Sequence, residues 1–148
     1  MRIKKKSAMI SAPIIMVDED EDDQAIVKQI AEELNLNLPL IFFKSSEALL
    51  AYLKSRKQTP FIIISEVNLP GMDGFKLREK ILKDSSAKYK SIPFIFWSAG
   101  ATEAQVRKAY DLASHGFFIK GTSMDGMKEV FRDIIAYWEK SETPQNVQ

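Results

Sequence analysis

Five polar side chains stand directly after short apolar runs. Asp18 and Glu19 follow Ile14–Val17, Glu66 follows Ile62-Ile63-Ile64-Ser65, Ser98 follows Ile92–Trp97, and Lys120 follows Phe117–Ile119. Carboxylate oxygens are what a hard cation such as Mg²⁺ takes as ligands, and that ion keeps part of its coordination for water or phosphate oxygens. A hydroxyl and an ammonium nearby supply the hydrogen bonds and positive charge that a phosphoryl group needs. Taken singly, these residues have plainer roles. The acidic run Asp18–Asp23 suits the start of a helix through its dipole, Ser98 suits a turn, and Lys120 suits a solvated strand flank. Asp73, in Pro70-Gly71-Met72-Asp73-Gly74, suits a helix cap. Their shared position at the ends of successive apolar runs is what joins the five into one candidate site.

The elements that must carry them are legible from periodicity. Ile14–Val17, Leu38–Phe43, Phe61–Ile64, Ile92–Trp97 and Phe117–Ile119 are brief and rich in β-branched or aromatic residues, which predicts five buried strands. Between them, Ile26, Ile30 and Leu34 share one helical face, as do Ala48, Leu49, Tyr52 and Leu53. Thr102-Glu103-Ala104-Gln105 matches a capping box ahead of a stripe of Val106, Ala109, Tyr110 and Ala113. Thr122 or Ser123 can cap a last helix whose Met127, Val130, Phe131, Ile134, Ile135 and Trp138 form a wide apolar stripe. Lys83–Ser91 is predicted as a polar loop. Alternation of strand and helix implies a doubly wound α/β domain, a five-stranded parallel sheet with helices on both faces. In such sheets ligands gather at the carboxyl ends of the strands, where strand order reverses. That is the edge at which the polar residues fall.

Composition narrows the function classes. The 148 residues, 45% hydrophobic and 28% charged, suffice for one domain with its own core. A formal charge of +1, from 21 basic and 20 acidic residues, provides no field to hold nucleic acid or an anionic membrane. The absence of cysteine excludes disulfides and thiolate metal sites, and a single histidine leaves little for zinc. No apolar run approaches the roughly 20 residues that span a bilayer. Arg2–Lys6 followed by Ser7–Val17 superficially resembles a signal peptide, but Ser7, Ser11 and Pro13 interrupt the apolar part and an acidic run follows at once. The expected organisation is a basic tail over residues 1–12, a domain over 13–140 and a flexible tail over 141–148, in a cytoplasmic protein.

Val17-Asp18-Glu19-Asp20-Glu21-Asp22-Asp23, Glu66-Val67-Asn68-Leu69-Pro70-Gly71-Met72-Asp73-Gly74, Trp97-Ser98-Ala99 and Ile119-Lys120 together resemble the response-regulator receiver domain of two-component signalling, over about Pro13 to Glu139. The resemblance implies a flavodoxin-like fold. It places Asp18 and Glu19 on the acidic pair that holds Mg²⁺, and the backbone carbonyl of Asn68 on a further metal ligand. It makes Ser98 the switch hydroxyl, Phe117 the switch aromatic and Lys120 the phosphate-contacting lysine. The implied partner is a protein, either a histidine kinase or another regulator. It would be held on the face formed by the fourth predicted helix, the fifth strand and the fifth predicted helix.

Three departures from the family pattern matter. Glu66 stands where the phosphoacceptor aspartate is expected, Gly121 follows the lysine where proline is usual, and Phe117 lacks the hydroxyl of the commoner tyrosine. In-line phosphoryl transfer can lose about a hundredfold for a misplacement near 1 Å, and one added methylene moves the carboxylate by about 1.5 Å. Glu66 is therefore expected to be a poor nucleophile, with Mg²⁺ bound weakly or not at all. The same extra reach carries its carboxylate toward Lys120 and Ser98, where it would partly mimic a phosphoryl group or merely inactivate the site. The resulting expectation is a stand-alone, atypical receiver acting by protein contacts rather than as an enzyme. Two alternatives have a textual basis. Asp18-Glu19-Asp20 faintly resembles the Asp-x-Asp motif of haloacid-dehalogenase-type Mg²⁺-dependent phosphohydrolases, although Glu21-Asp22-Asp23 replaces the turn those enzymes carry. Phosphorelay through another residue, Ser65 or Asp20, is the other.

Overall fold

The computed structural model describes residues 12–55, 58–83 and 87–144; the expected basic tail lies outside them apart from Ala12. The elements run β1 (Ile14–Val17), α1 (Glu21–Glu33), β2 (Leu40–Phe43), α2 (Ser46–Lys54), β3 (Ile62–Ser65), α3 (Gly74–Lys83), α4 (Ala87–Lys90), β4 (Phe94–Ser98), α5 (Glu103–Asp111), β5 (Phe117–Ile119) and α6 (Met124–Lys140). All five strands are parallel, in the order β2-β1-β3-β4-β5. Strand order reverses between β1 and β3, and the crevice at their carboxyl ends is flanked by Asp18 and Glu66.

Side-chain alternation along each strand splits the core into two layers. Ile15, Val17, Ile63, Phe94 and Phe96 pack with Leu49 and Leu53 of α2, Phe75, Leu77 and Ile81 of α3, Tyr89 of α4 and Ala109 of α5. On the opposite face, Ile14, Met16, Ile62, Ile64, Ile95 and Trp97 pack with Val27 and Ile30 of α1 and with Met127, Phe131, Ile134 and Ile135 of α6. The inner strands β1, β3 and β4 are buried along their whole length. Contrary to the sequence expectation of five buried strands, β2 and β5 are only partly buried, because each is a sheet edge with one open flank; Ile119 is half exposed.

Helix starts follow the local chemistry. Asp20 caps α1, accepting from the Asp22 and Asp23 amides, and Ser45 and Ser123 cap α2 and α6. Thr102 and Gln105 form the reciprocal capping box of α5, and Asp73 Oδ1 accepts from the Lys76 amide at 2.9 Å. The segment predicted as a polar loop holds the short α4, whose Tyr89 is buried and donates its hydroxyl to the Leu53 carbonyl at 2.7 Å. One aromatic side chain anchors what polarity alone suggested was a free loop. Arg78 of α3 is 1% exposed and donates to the Leu112 and Ala113 carbonyls at 3.1 and 2.9 Å, with its guanidinium over the Phe94 ring. Burial lowers that guanidinium to about 10. Beyond α6, in the expected flexible tail, Thr143 is buried, so residues up to 144 still adjoin the fold.

Candidate functional site

Glu66 follows the last residue of β3, and its environment is set by the turn that leaves the strand. The Gly74 amide donates to the Val67 carbonyl at 2.8 Å, closing residues 67–74 into a compact loop. A Cβ at Gly74 would lie 2.3 Å from the Glu66 carbonyl oxygen, so the start of α3 seats directly on the Glu66 backbone and only glycine fits there. Gly71, at φ +72°, makes the left-handed turn that the loop requires.

The Glu66 carboxylate, 9% exposed as a side chain, is met from both sides. Oε2 accepts from the Val67 amide at 2.6 Å and the Asn68 amide at 3.4 Å. Oε1 accepts from the Ala99 amide at 3.3 Å and the Lys120 ammonium at 3.3 Å. Burial opposes the charge, but the Ser98 hydroxyl, the Lys120 charge and the Val67 amide outweigh it and hold the Glu66 carboxyl below its ordinary range. Ser98 is fully buried and donates to the Gly100 carbonyl at 3.0 Å.

Lys120 is the hub. Its side chain is 5% exposed, and the ammonium hydrogen-bonds Asp18 Oδ2, Asp23 Oδ2 at 2.8 Å and Glu66 Oε1. Burial works against the ammonium, but the bonds to Asp18 and Asp23 and the charges of Asp18 and Glu66 raise Lys120 above the ordinary lysine range. Burial raises the Asp18 carboxyl, an effect that its bonds to Lys120 and to the Asp20 amide offset only in part. Three carboxylates against one ammonium leave the cluster net negative.

The structure therefore brings Asp18, Glu66, Ser98 and Lys120 together. Asn68 contributes its backbone amide to Glu66, while its side chain faces solvent. Glu19 is exposed, and a third carboxylate at the lysine comes from Asp23. Asp23 was not among the residues singled out from sequence. Its signal was available, since with Asp20 as N-cap, Asp23 occupies the third helical position, whose side chain reaches back past the helix start. Phe117 is partly buried, with its ring 5.8 Å from that of Phe96 and packed on the α5 layer. The Asp20 carboxylate is engaged as the α1 cap, and the Ser65 hydroxyl is buried and donates to the Glu66 carbonyl at 2.8 Å.

The donor set is a poor fit for a divalent cation. Both oxygens of Asp18 and both of Glu66 are taken by N–H donors, with the ammonium seated between the carboxylates. Among the described residues no group of three or more acidic, histidine or cysteine side chains is arranged to hold a metal ion.

A family model for the response regulator receiver domain matches residues 14–132. The chain belongs to that family. Receiver domains are, in general, non-enzymatic modules of two-component signalling that work with histidine kinases and other regulators. The chain is 21% identical over 129 residues to the probable methanogenesis regulatory protein FilR2 of Methanothrix harundinacea, covering 84% of this chain and 82% of that protein. It is 23% identical to the DNA-binding transcriptional regulator NtrC of Salmonella typhimurium over 86% of its own length, but spans only 26% of that protein. The phosphorylated cyanobacterial phytochrome response regulator RcpA shares its fold with a TM-score of 0.83 at 19% identity, over 90% of this chain and 99% of that one. No helix among the described residues is long and apolar enough to cross a membrane.

Proposed function

We propose that this chain is an atypical receiver whose Glu66 side chain takes the place of phosphorylation, and that it signals by contact with another protein rather than by catalysis. The observation that carries this reading is the set of donors on the Glu66 carboxylate: the Val67, Asn68 and Ala99 amides and the Lys120 ammonium. Convergent backbone N–H groups beside a lysine are what an oxyanion or phosphoryl oxygen needs, and here the glutamate occupies them. The net negative cluster also repels an incoming phosphodonor. A carboxylate brings one charge where a phosphoryl group brings about −1.5 to −2, so the mimicry is partial.

The partner is another protein of the signalling chain, a histidine kinase or a further regulator, and it docks on α5, β5 and α6. Among the described residues, Tyr110, Ile119 and Tyr137, one on each of those elements, are the large apolar side chains left most exposed, at 60%, 50% and 64%. Phe117 packed inward on Phe96 is the arrangement expected when the site is held in its signalling condition. No divalent cation is required, because Lys120 already neutralises part of the carboxylate charge.

Backbone amide NMR spectra of the wild type and Glu66→Gln test this without a partner in hand. The reading expects shift changes beyond the crevice, at Phe117 and along α5. Changes confined to residues 65–68, 98–100 and 120 would make the site an inert scaffold.

A further inference from the structure

The open edge of β2 lies on the far side of the sheet from the face proposed for the partner. The Ile14 amide donates to the Pro39 carbonyl and the Asp18 amide to the Phe43 carbonyl, so Pro39, Ile41 and Phe43 turn their backbone toward β1. In a parallel ladder the alternate residues, Leu40 and Phe42, then point their N–H and C=O groups outward. Among the described residues no strand covers them, since β2 is the first strand of the sheet. Beside this edge a groove of about 350 Å³ is lined by Lys28, Ala31 and Glu32 of α1 and by Leu36, Leu38, Leu40 and Phe42.

Two features indicate what covers it. Leu40-Ile41-Phe42-Phe43 carries none of the charged side chains with which monomers blunt an open edge. The rim bears one cation and one anion a helical turn apart, Lys28 and Glu32, both exposed and in no ion pair among the described residues, although nearby Glu33 pairs with Lys128 at 3.3 Å. A patch with one charge of each sign, spaced along its own length, is complementary to itself under a twofold axis. We propose that a second copy of this chain docks on β2, pairing the two β2 edges antiparallel about Ile41, with Lys28 of each copy facing Glu32 of the other. Leu40 of one copy then exchanges backbone hydrogen bonds with Phe42 of the other. The apolar residues of each groove cover the other, and the sheet continues through both molecules.

Sedimentation of the full chain over a range of concentrations tests this. A dimer is expected. Glu32→Lys and Lys28→Glu alone should each raise its dissociation constant by about tenfold, because each places like charges across the twofold axis. The double exchange, Lys28→Glu with Glu32→Lys, should restore it. In a protein without cysteine, Ile41→Cys should also yield a disulfide-linked dimer on mild oxidation. Residues facing each other in a non-hydrogen-bonded antiparallel pair have Cα atoms about 4.5 Å apart, within disulfide reach. A chain that stays monomeric, leaving β2 to an extended segment of some other protein, overturns the proposal. So does a dimer indifferent to the single reversals, a double exchange as weak as either single one, or a failure of Ile41→Cys to cross-link.

Discussion

On the proposed reading one methylene separates Glu66 from the aspartate of its family, and it decides which atoms the carboxylate meets. The longer side chain reaches the Lys120 ammonium and the Ala99 amide while still accepting from Val67. A carboxyl held below its ordinary range binds fewer protons in the folded than in the unfolded chain. Its contribution to stability is thus present above the unfolded value of about 4.5 and is lost as pH falls through the folded value. Asp18, raised by burial, works in the opposite sense and favours the folded state toward acid. Comparing urea unfolding of the wild type with Glu66→Gln isolates the first effect. The stability difference in favour of wild type should shrink as pH is lowered from 6 toward 3, and a difference independent of pH would rule out the charged pairing. Removing the hub is more severe. Lys120→Met leaves Asp18, Asp23 and Glu66 facing one another without a counter-charge, and loss of one partner from a buried pair costs about 3–5 kcal/mol. That variant should also gain affinity for Mn²⁺, since three hard oxygen ligands are released together. Calorimetric titration showing equal Mn²⁺ binding in both proteins would contradict the view that the ammonium excludes the cation.

At the scale of elements, the site depends on how two turns are built. Gly74→Ala puts a methyl group 2.3 Å from the Glu66 carbonyl oxygen, so α3 must back away from β3. Overpacking of this kind costs about 1–3 kcal/mol, and the displacement should also weaken the Val67 amide's hold on Glu66. Thr102→Ala removes half of the α5 capping box and should cost about 1 kcal/mol with no effect on Glu66. A chemical melt ranks the two, and an equal cost would mean that the close seating of α3 carries no strain. These features also mark how far the sequence could be read. Inner strands, capping residues and the α6 stripe announce themselves through local periodicity and side-chain chemistry. The short α4 did not, because its reason is Tyr89 bonding to Leu53, 36 positions away. The partial exposure of β2 and β5 was equally hidden, since edge position is a property of strand order and not of either strand's composition. Asp18, Glu66, Ser98 and Lys120 were found by position, at the ends of strands. Asp23 at the lysine was not legible in the same way, because which carboxylate turns inward depends on where α1 begins.

At the scale of the whole molecule, the strand order gathers residues 102 positions apart in sequence into one ion cluster, and the same order leaves α5, β5 and α6 on one flank and the β2 edge on the other. The ring of Phe117 against Phe96, itself 5.3 Å from Phe75 of α3, forms a packed aromatic line from the β5 edge to the wall of the crevice. A change in charge at Glu66 can bias that face only through its different interaction with two arrangements of this line. On the proposed reading Glu66 fills the phosphoryl position and cannot itself be phosphorylated. Incubating the chain with acetyl phosphate and Mg²⁺ and measuring its intact mass tests this most directly. Wild type should gain nothing while Glu66→Asp gains one phosphoryl group; a stable one-phosphoryl increase on wild type, mapped to Glu66, would contradict the account.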